Sequence, residues 1–369
     1  MLAGTVMEHG GISRTLIGWI ESIVGRIRGA MGAITVLTCM AFGVLTGSAM
    51  ATISAVGKII YPEMIKRGYR HDYSAALIAS TCFLGILIPP SIPGIMYALC
   101  SGQSISDVWL STVGPAFIIG LSYIVYNYFT GGHHDKITEK STVGNYFKDI
   151  GVNTWKAVPA LIMPLIIFGG IYGGIFTPTE AGAVCLAYGV IFYIIKKFRK
   201  RDDVSSTLWS IFLTGGIATA AICIINVFAN TASRAISQSG ISVGLANFIV
   251  ANIKQPWIFL LISNFLFLVL GCLIDITSAV LMITPLLLPT AVAMGINPIH
   301  YGAIMLVNLS IGFITPPFAG GIFIACKVTG VDYGSLVKSC LPFLAMGFVV
   351  IALTTIFPQI SLCIPALFK

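Results

Sequence analysis

Two proline pairs, Pro89-Pro90 and Pro316-Pro317, interrupt apolar runs that are each long enough to cross a lipid bilayer. Proline has no N–H to donate, and its ring blocks the carbonyl four residues back. Each pair therefore ends one helix and obliges another to start. Inside hydrocarbon, the freed N–H and C=O groups must be buried in protein or turned toward a polar ligand. The amount of apolar surface excludes an aqueous fold: 57% of the 369 residues are hydrophobic and 9% are charged, where a soluble domain carries about 25% charged residues. The fold class that follows is an all-α polytopic membrane protein.

The two breaks belong to one repeated unit. Displaced by 227 residues, Pro62 falls on Pro289, Gly85 on Gly312, Pro89-Pro90 on Pro316-Pro317, Gly94 on Gly321 and Pro115 on Pro342. Four of the five prolines from Pro62 to Ile124 coincide with a proline, more than a usage of about 5% gives by chance. With a slightly larger shift, Gly11-Ile12-Ser13 matches Gly240-Ile241-Ser242. Each half reads as an amphipathic arm helix (Ile12–Arg28, Ile241–Ile253), a re-entrant hairpin (Ala30–Tyr61, Trp257–Leu288), a broken span (Tyr73–Leu99, Ile299–Cys326) and a whole span (Val108–Phe129, Leu336–Ile356). In the first arm helix Leu16, Ile20, Ile23 and Ile27 recur at helical spacing, the pattern of a helix lying in the membrane interface.

Three further spans, Ala157–Tyr172, Ala181–Ile195 and Leu208–Ala229, lie between the halves. Repeat 1 is thus assigned to 1–130, a cytoplasmic loop to 131–155 and repeat 2 to 156–369. The second arm helix follows a span and the first follows none, so one or more spans are expected ahead of repeat 1 in a complete protein. No cleaved signal peptide is expected.

The +8 net charge sits mostly in short loops, where it is an orientation signal before it is a nucleic-acid footprint, and no nucleic-acid partner is expected. Lys66, Arg67 and Arg70 form one cluster, Lys136, Lys140 and Lys148 a second, and Lys196, Lys197, Arg199, Lys200 and Arg201 a third. All three are expected on the cytoplasmic side. Lys66, Arg67 and Arg70 align with the uncharged Ala293, Met294 and Asn297, as an inverted second copy requires. Paired inverted repeats with broken helices mark secondary transporters. The nine cysteines lie in or beside apolar runs with no C-x-x-C pair and read as small buried hydrophobes.

Half-helix C-termini offer carbonyls to a cation, and half-helix N-termini offer N–H groups to a carboxylate. Gly47, Ser48, Thr52, Pro89 and Ser91 gather at the first tip and break, and Asp275, Thr277, Ser278 and Thr315 at the second. These are the candidate Na⁺ ligands. Ser48, Pro90, Pro317, Gly320 and Gly321 are the candidate substrate contacts, the glycines because backbone can approach a ligand there. A lone Asp275 among hydroxyls and carbonyls favours Na⁺ over the acid or histidine chains that proton carriers use. The structural alternatives are local hydroxyl-to-carbonyl bonds and, for Asp275, a helix cap. Thr177-Pro178-Thr179-Glu180 reads as a capping box, with Thr177 as cap, Pro178 opening the helix and Glu180 reaching back. His71, His133 and His134 lie in loops, and His300 reads as interfacial. No catalytic constellation or cofactor motif is present, so an intramembrane enzyme is not expected. A passive channel suits paired midplane breaks less well than alternating access.

Gly169-Gly-Ile-Tyr-Gly-Gly-Ile-Phe-Thr-Pro-Thr-Glu-Ala181, Ile88-Pro-Pro-Ser-Ile-Pro93, Thr315-Pro-Pro317 and Gly47-Ser48…Ala51-Thr52…Gly57 resemble, in combination, the large membrane subunit of the tripartite ATP-independent periplasmic (TRAP) transporters. The resemblance covers essentially the whole chain. It implies an elevator-type carrier, like others of the ion-transporter superfamily, driven by Na⁺ in the bacterial inner membrane. It also implies a small four-span membrane subunit, a periplasmic substrate-binding protein, and a carboxylate substrate such as a dicarboxylate, a sialic acid or a keto acid. Thr46 stands where Ser is usual, Thr52 where many members have Asp, and Gly320 where some have Ser. A stand-alone Na⁺/dicarboxylate symporter with the same hairpin plan is the alternative.

Overall fold

The computed structural model describes residues 2–9, 12–131, 143–198, 207–253 and 255–368. Lys136, Lys140, Arg199, Lys200 and Arg201 of the basic loops, His133, His134, and Gly11 of the repeat match lie outside the described residues. Among those described, the regular structure is entirely helical. The first half runs α1 (Leu2–His9), α2 (Ile12–Val24), α3 (Ala30–Thr46), α4 (Ala49–Lys66), α5 (His71–Thr81), α6 (Leu84–Leu87), α7 (Ile92–Ser101) and α8 (Ile105–Thr130). Then come α9 (Val143–Tyr172), α10 (Pro178–Phe198) and α11 (Leu208–Gln238). The order then recurs as α12 (Ile241–Asn252), α13 (Pro256–Leu273), α14 (Ile276–Ala293), α15 (Pro298–Gly312), α16 (Gly320–Thr329) and α17 (Tyr333–Ile356), with α18 (Gln359–Leu367) last.

Six helices are long and apolar enough to cross a membrane, or seven if the pair His71–Leu87 and Ile92–Ser101, bent by 41°, counts as one broken span. The protein is a multi-pass membrane protein. Several boundaries differ from the sequence reading. Helix α9 starts at Val143, so helix fills the second half of the segment assigned to a loop over 131–155. Helix α11 continues to Gln238, past the expected end at Ala229. The arms of the second hairpin, α13 and α14, have 18 residues each and are each as long and apolar as a full span. Helix α3 stops at 17. Helix α18 has no sequence counterpart in the first repeat.

Arm helix α2 ends at Val24; Leu16 and Ile20 of its expected stripe are buried, while Ile23 and Ile27 are exposed. The arm is pinned at two points. Trp19 Nε1 donates to Thr154 Oγ1 of α9 at 3.1 Å, and Glu21 pairs with Arg67 beyond the end of α4. The other cations of that cluster are paired as well, Lys66 with Glu63 at 3.5 Å and Arg70 with Asp72 at 2.6 Å.

By contacts the chain divides into two compact units, and each draws on both repeats. One contains Met1–Gly85, Gly120–Thr219 and Gly321–Leu341; the other contains Ile86–Ile119, Ala220–Gly320 and Pro342–Lys369. In the first unit α3 packs against α2, α4 and α5. In the second, α13 packs on α15, and α7 lies across α14. Its core centres on Tyr301, whose ring lies 5.9 Å from that of Phe259 and 5.7 Å from that of Phe267. Tyr97 of α7 is clamped there: its hydroxyl donates to Pro298 O at 2.5 Å, and its ring fills the space that glycine leaves at Gly302. His300 is not at the protein surface. It is buried, with Nδ1 2.7 Å from Ser361 Oγ of α18. That contact tethers the last helix and was invisible without it.

Candidate functional site

Four helix interruptions carry the candidate residues, and each is built by local chemistry. At the first tip α3 ends on Gly47 in the left-handed region, φ 60°, a conformation that glycine adopts without steric cost. Its N–H donates to Gly43 O at 2.7 Å. Ser48 then caps α4, its Oγ accepting from Ala51 N at 3.5 Å. Thr52 Oγ1 donates to Ser48 O at 2.8 Å and lies 3.4 Å from Thr46 Oγ1. The structure thus brings Gly47, Ser48 and Thr52 together with Thr46 in one small polar knot. Thr52 within it is fully buried.

At the second tip Asp275 caps α14. Its Oδ2 accepts from Thr277 N at 2.9 Å and from Ser278 N at 3.4 Å. Asp275 is exposed, and Thr277 and Ser278 are half-buried. The two tips differ in kind: a hydroxyl caps one and a carboxylate the other.

At the first break the Pro89-Pro90 bond is cis, as is Pro316-Pro317 at the second. Ser91 caps α7, its Oγ accepting from Gly94 N at 3.2 Å. The backbone carbonyls around this break are closed by α8. Trp109 Nε1 donates to Ser91 O at 3.0 Å, and Thr112 Oγ1 donates to Leu87 O at 2.6 Å. Sequence reasoning missed both residues. Their repeat counterparts are Leu336 and Ser339, so the repeat retains a hydroxyl at the second position but does not flag the indole. The available signal was an indole and a hydroxyl one helical turn apart at the start of the next span.

At the second break Thr315 Oγ1 donates to its own helix at Ile311 O, 2.9 Å, and Phe318 N donates to Cys272 Sγ at 3.5 Å. Cys272, just ahead of the second tip, was likewise missed. That bond joins the segment after the second break to the end of α13, three residues before Asp275. Helix α16 starts at Gly320-Gly321, with Gly321 buried. The residue before it is Ala319, which has no side-chain oxygen. The starts of α4, α7 and α14 each have a capping oxygen, from Ser48, Ser91 and Asp275. Helix α16 has no side-chain oxygen at that position.

Each tip is set beside its own broken span by a contact between glycines. A Cβ on Gly85 of α6 would lie 2.9 Å from Gly43 Cα of α3 and 3.0 Å from Thr52 Oγ1. In the second unit a Cβ on Gly312 of α15 would lie 2.7 Å from Gly271 Cα of α13. Backbone therefore meets backbone one turn before each tip. Among the described residues, no cluster of three or more His, Cys, Asp or Glu could hold a metal ion.

Thr177, Pro178 and Glu180 lie outside this arrangement. Pro178 opens α10, Glu180 Oε2 accepts from Thr177 N and from Thr177 Oγ1 at 2.8 Å each, and Glu180 N donates to Thr177 Oγ1 at 3.3 Å. This is a reciprocal capping box.

A family model described as the DctM component of tripartite ATP-independent periplasmic transporters matches residues 1–360. The chain is 34% identical over 365 residues to the C4-dicarboxylate TRAP transporter large permease protein DctM of Pseudomonas aeruginosa, covering 99% of this chain and 84% of that protein. It is 30% identical over 370 residues to the sialic acid TRAP transporter large permease protein SiaM of Vibrio cholerae, covering 100% of this chain and 85% of that one. Among solved structures it is similar to the Alcanivorax borkumensis YdaH transporter, with a TM-score of 0.63 at 14% identity, over 97% of this chain and 85% of that one. At that identity the likeness concerns the fold alone.

Proposed function

Because the chain belongs to the DctM family, the large permease components of tripartite ATP-independent periplasmic transporters, we propose that it is the subunit that carries a small carboxylate across the bacterial inner membrane, coupled to Na⁺. The observation that carries this reading is the pairing of a polar tip with a broken helix, made in each unit by glycine against glycine. That arrangement presents carbonyl and hydroxyl oxygens beside helix N-termini, which suits a cation and an acid bound side by side.

The ion ligands we assign are Gly47, Ser48, Thr52, Pro89 and Ser91 at one tip and break, and Asp275, Thr277, Ser278 and Thr315 at the other. Ser48, Pro90, Pro317, Gly320 and Gly321 are assigned to substrate, with the start of α16 receiving the carboxylate. In this mechanism Na⁺ offsets the Asp275 charge before an anion enters, so the anion binds well only to the ion-loaded protein. Both cross together as the moving part changes sides, in the manner of an elevator. Relatives are named for C4-dicarboxylates and sialic acid, and a carboxylate is the chemistry those names share.

The assembly we propose includes a small four-span membrane subunit and a periplasmic binding protein that delivers the substrate. The loops around Lys66, Lys136 and Lys196 face the cytoplasm, by the positive-inside rule. The test is uptake into proteoliposomes holding this chain with its small subunit, with binding protein and a radiolabelled dicarboxylate or sialic acid outside. Uptake is expected only with an inward Na⁺ gradient and with the binding protein present. Uptake indifferent to Na⁺ would overturn the coupling, and uptake without the binding protein would favour the stand-alone symporter.

A further inference from the structure

Helix α1 carries two opposed contacts. Leu2 and Val6 are four residues apart and share one of its faces. Val6 is fully buried and packs with Tyr193 of α10 and Ile211 of α11. Gly215 of α11 makes room for Leu2, since a Cβ there would lie 2.7 Å from Leu2 Cδ2. Gly4 stands two residues from each, roughly 200° round the helix, so it faces the other way. It is buried, and a Cβ on it would lie 2.5 Å from Leu45 O and 3.1 Å from Thr46 Cα. Those two residues end α3 at the first tip. All of these residues belong to the first compact unit.

The contact falls on the part of the tip that a cation would use. Leu45 O is one of the last four carbonyls of α3, which lack an N–H partner within their own helix. Thr46 Oγ1 lies 3.4 Å from Thr52 Oγ1 and 3.4 Å from Ser48 N. A shift of Leu45 and Thr46 therefore reaches Ser48 and Thr52 directly. Glycine lets the backbone of α1 come this close. Any Cβ at Gly4 would press on main-chain atoms, which cannot rotate aside as a side chain can. Nor is α1 free to retreat, because Val6 holds it from behind.

We propose that Gly4 is a positioning residue for the ion ligands of the first tip. With α1 as a backstop, it sets where Thr46, Ser48 and Thr52 stand, and so how tightly the tip holds Na⁺. The proposal rests on the ion ligands put forward above.

The experiment compares Gly4→Ala with Gly170→Ala. The second variant sets a methyl 2.4 Å from Phe176 Cδ2, a clash between α9 and the turn that follows it. Each chain is reconstituted with its small subunit and binding protein, and uptake is measured across a series of Na⁺ concentrations. Thermal midpoints are taken in parallel, and both are expected to fall. Gly4→Ala should need about tenfold more Na⁺ for half-maximal uptake, the equivalent of about 1.4 kcal/mol, and reach the parental rate at saturating Na⁺. Gly170→Ala should keep the parental Na⁺ requirement. Val6→Ala leaves the glycine in place and loosens the backstop. It should shift the requirement in the same direction, and it decides the matter should Gly4→Ala fail to fold. A parental Na⁺ requirement in Gly4→Ala, or in Val6→Ala where the first does not fold, would overturn the proposal. So would an equal shift in Gly170→Ala, which would trace the effect to lost stability. A parent chain whose uptake ignores Na⁺ removes the ion ligands and this role with them, whereas a Na⁺-dependent parent with unshifted variants removes the role alone.

Discussion

The indole Nε1 of Trp109 donates a hydrogen bond to the main-chain carbonyl of Ser91 across 3.0 Å. The bare backbone at the first break is thus closed from the next span, and Gly94 gives the indole room, since a Cβ there would lie 2.9 Å from Trp109 Cδ1. Trp109→Phe keeps the ring and removes the donor. It is expected to destabilise the protein by about 1–3 kcal/mol, the cost of a buried acceptor left unpaired. Thermal unfolding in detergent measures it, and an unchanged midpoint would mean that Ser91 O finds another partner.

Gly85→Ala sets a methyl 2.9 Å from Gly43 Cα and 3.0 Å from Thr52 Oγ1. Backbone cannot rotate away as a side chain can. The expected cost is on the order of 1–3 kcal/mol, with uptake reduced because the tip is displaced. Gly182→Ala is the control. It meets nothing within 4 Å, and alanine is the better helix former by about 1 kcal/mol. Equal behaviour of the two variants in uptake and thermal assays would show that the crossing is not tight.

Asp275 caps α14, and the cap can be separated from the charge. Asparagine caps as well as aspartate, whereas alanine loses about 1 kcal/mol. Asp275→Asn should therefore melt like the parent yet need roughly tenfold more Na⁺ for half-maximal uptake, the loss of about 1.4 kcal/mol of ion binding. Asp275→Ala should lose both stability and Na⁺-dependent uptake. Parental Na⁺ dependence in the Asn variant would leave Asp275 as a cap only.

Ala319→Ser offers α16 the capping oxygen it lacks. Stability should rise by about 1 kcal/mol while the KM for substrate rises about tenfold, because the new hydroxyl competes with the substrate carboxylate for the same N–H groups. A KM that stays put while the melting point rises would remove the start of α16 from the substrate site.

The Glu21–Arg67 pair joins the arm helix to the first hairpin, with the Glu21 side chain 44% exposed. A double-mutant cycle with Glu21→Ala and Arg67→Ala is expected to give a coupling of about 0.2–1 kcal/mol that shrinks in high salt. A coupling of zero at low salt would make the arm's attachment depend on Trp19 and packing alone.

The sequence carried the breaks because proline chemistry is local: Pro89-Pro90 and Pro316-Pro317 end helices wherever they stand. The capping box at Thr177–Glu180 was legible for the same reason, with all its partners within four residues. The break between α5 and α6 at Cys82–Phe83 was not, since neither residue is a helix breaker. The interruption falls just ahead of Gly85, which meets Gly43 of a distant segment. Trp109, Thr112 and Cys272 were hidden because each acts on backbone far along the chain. The burial of His300 was hidden because the helix that contacts it, α18, has no sequence counterpart in the first repeat.

With no side chain interposed at either glycine crossing, neither contact has a rotamer to change or a surface along which to slide. A hairpin tip is keyed to its helix as a tenon to its mortise. A displacement of either tip therefore has to be shared by the helix it is keyed to, because backbone there rests on backbone.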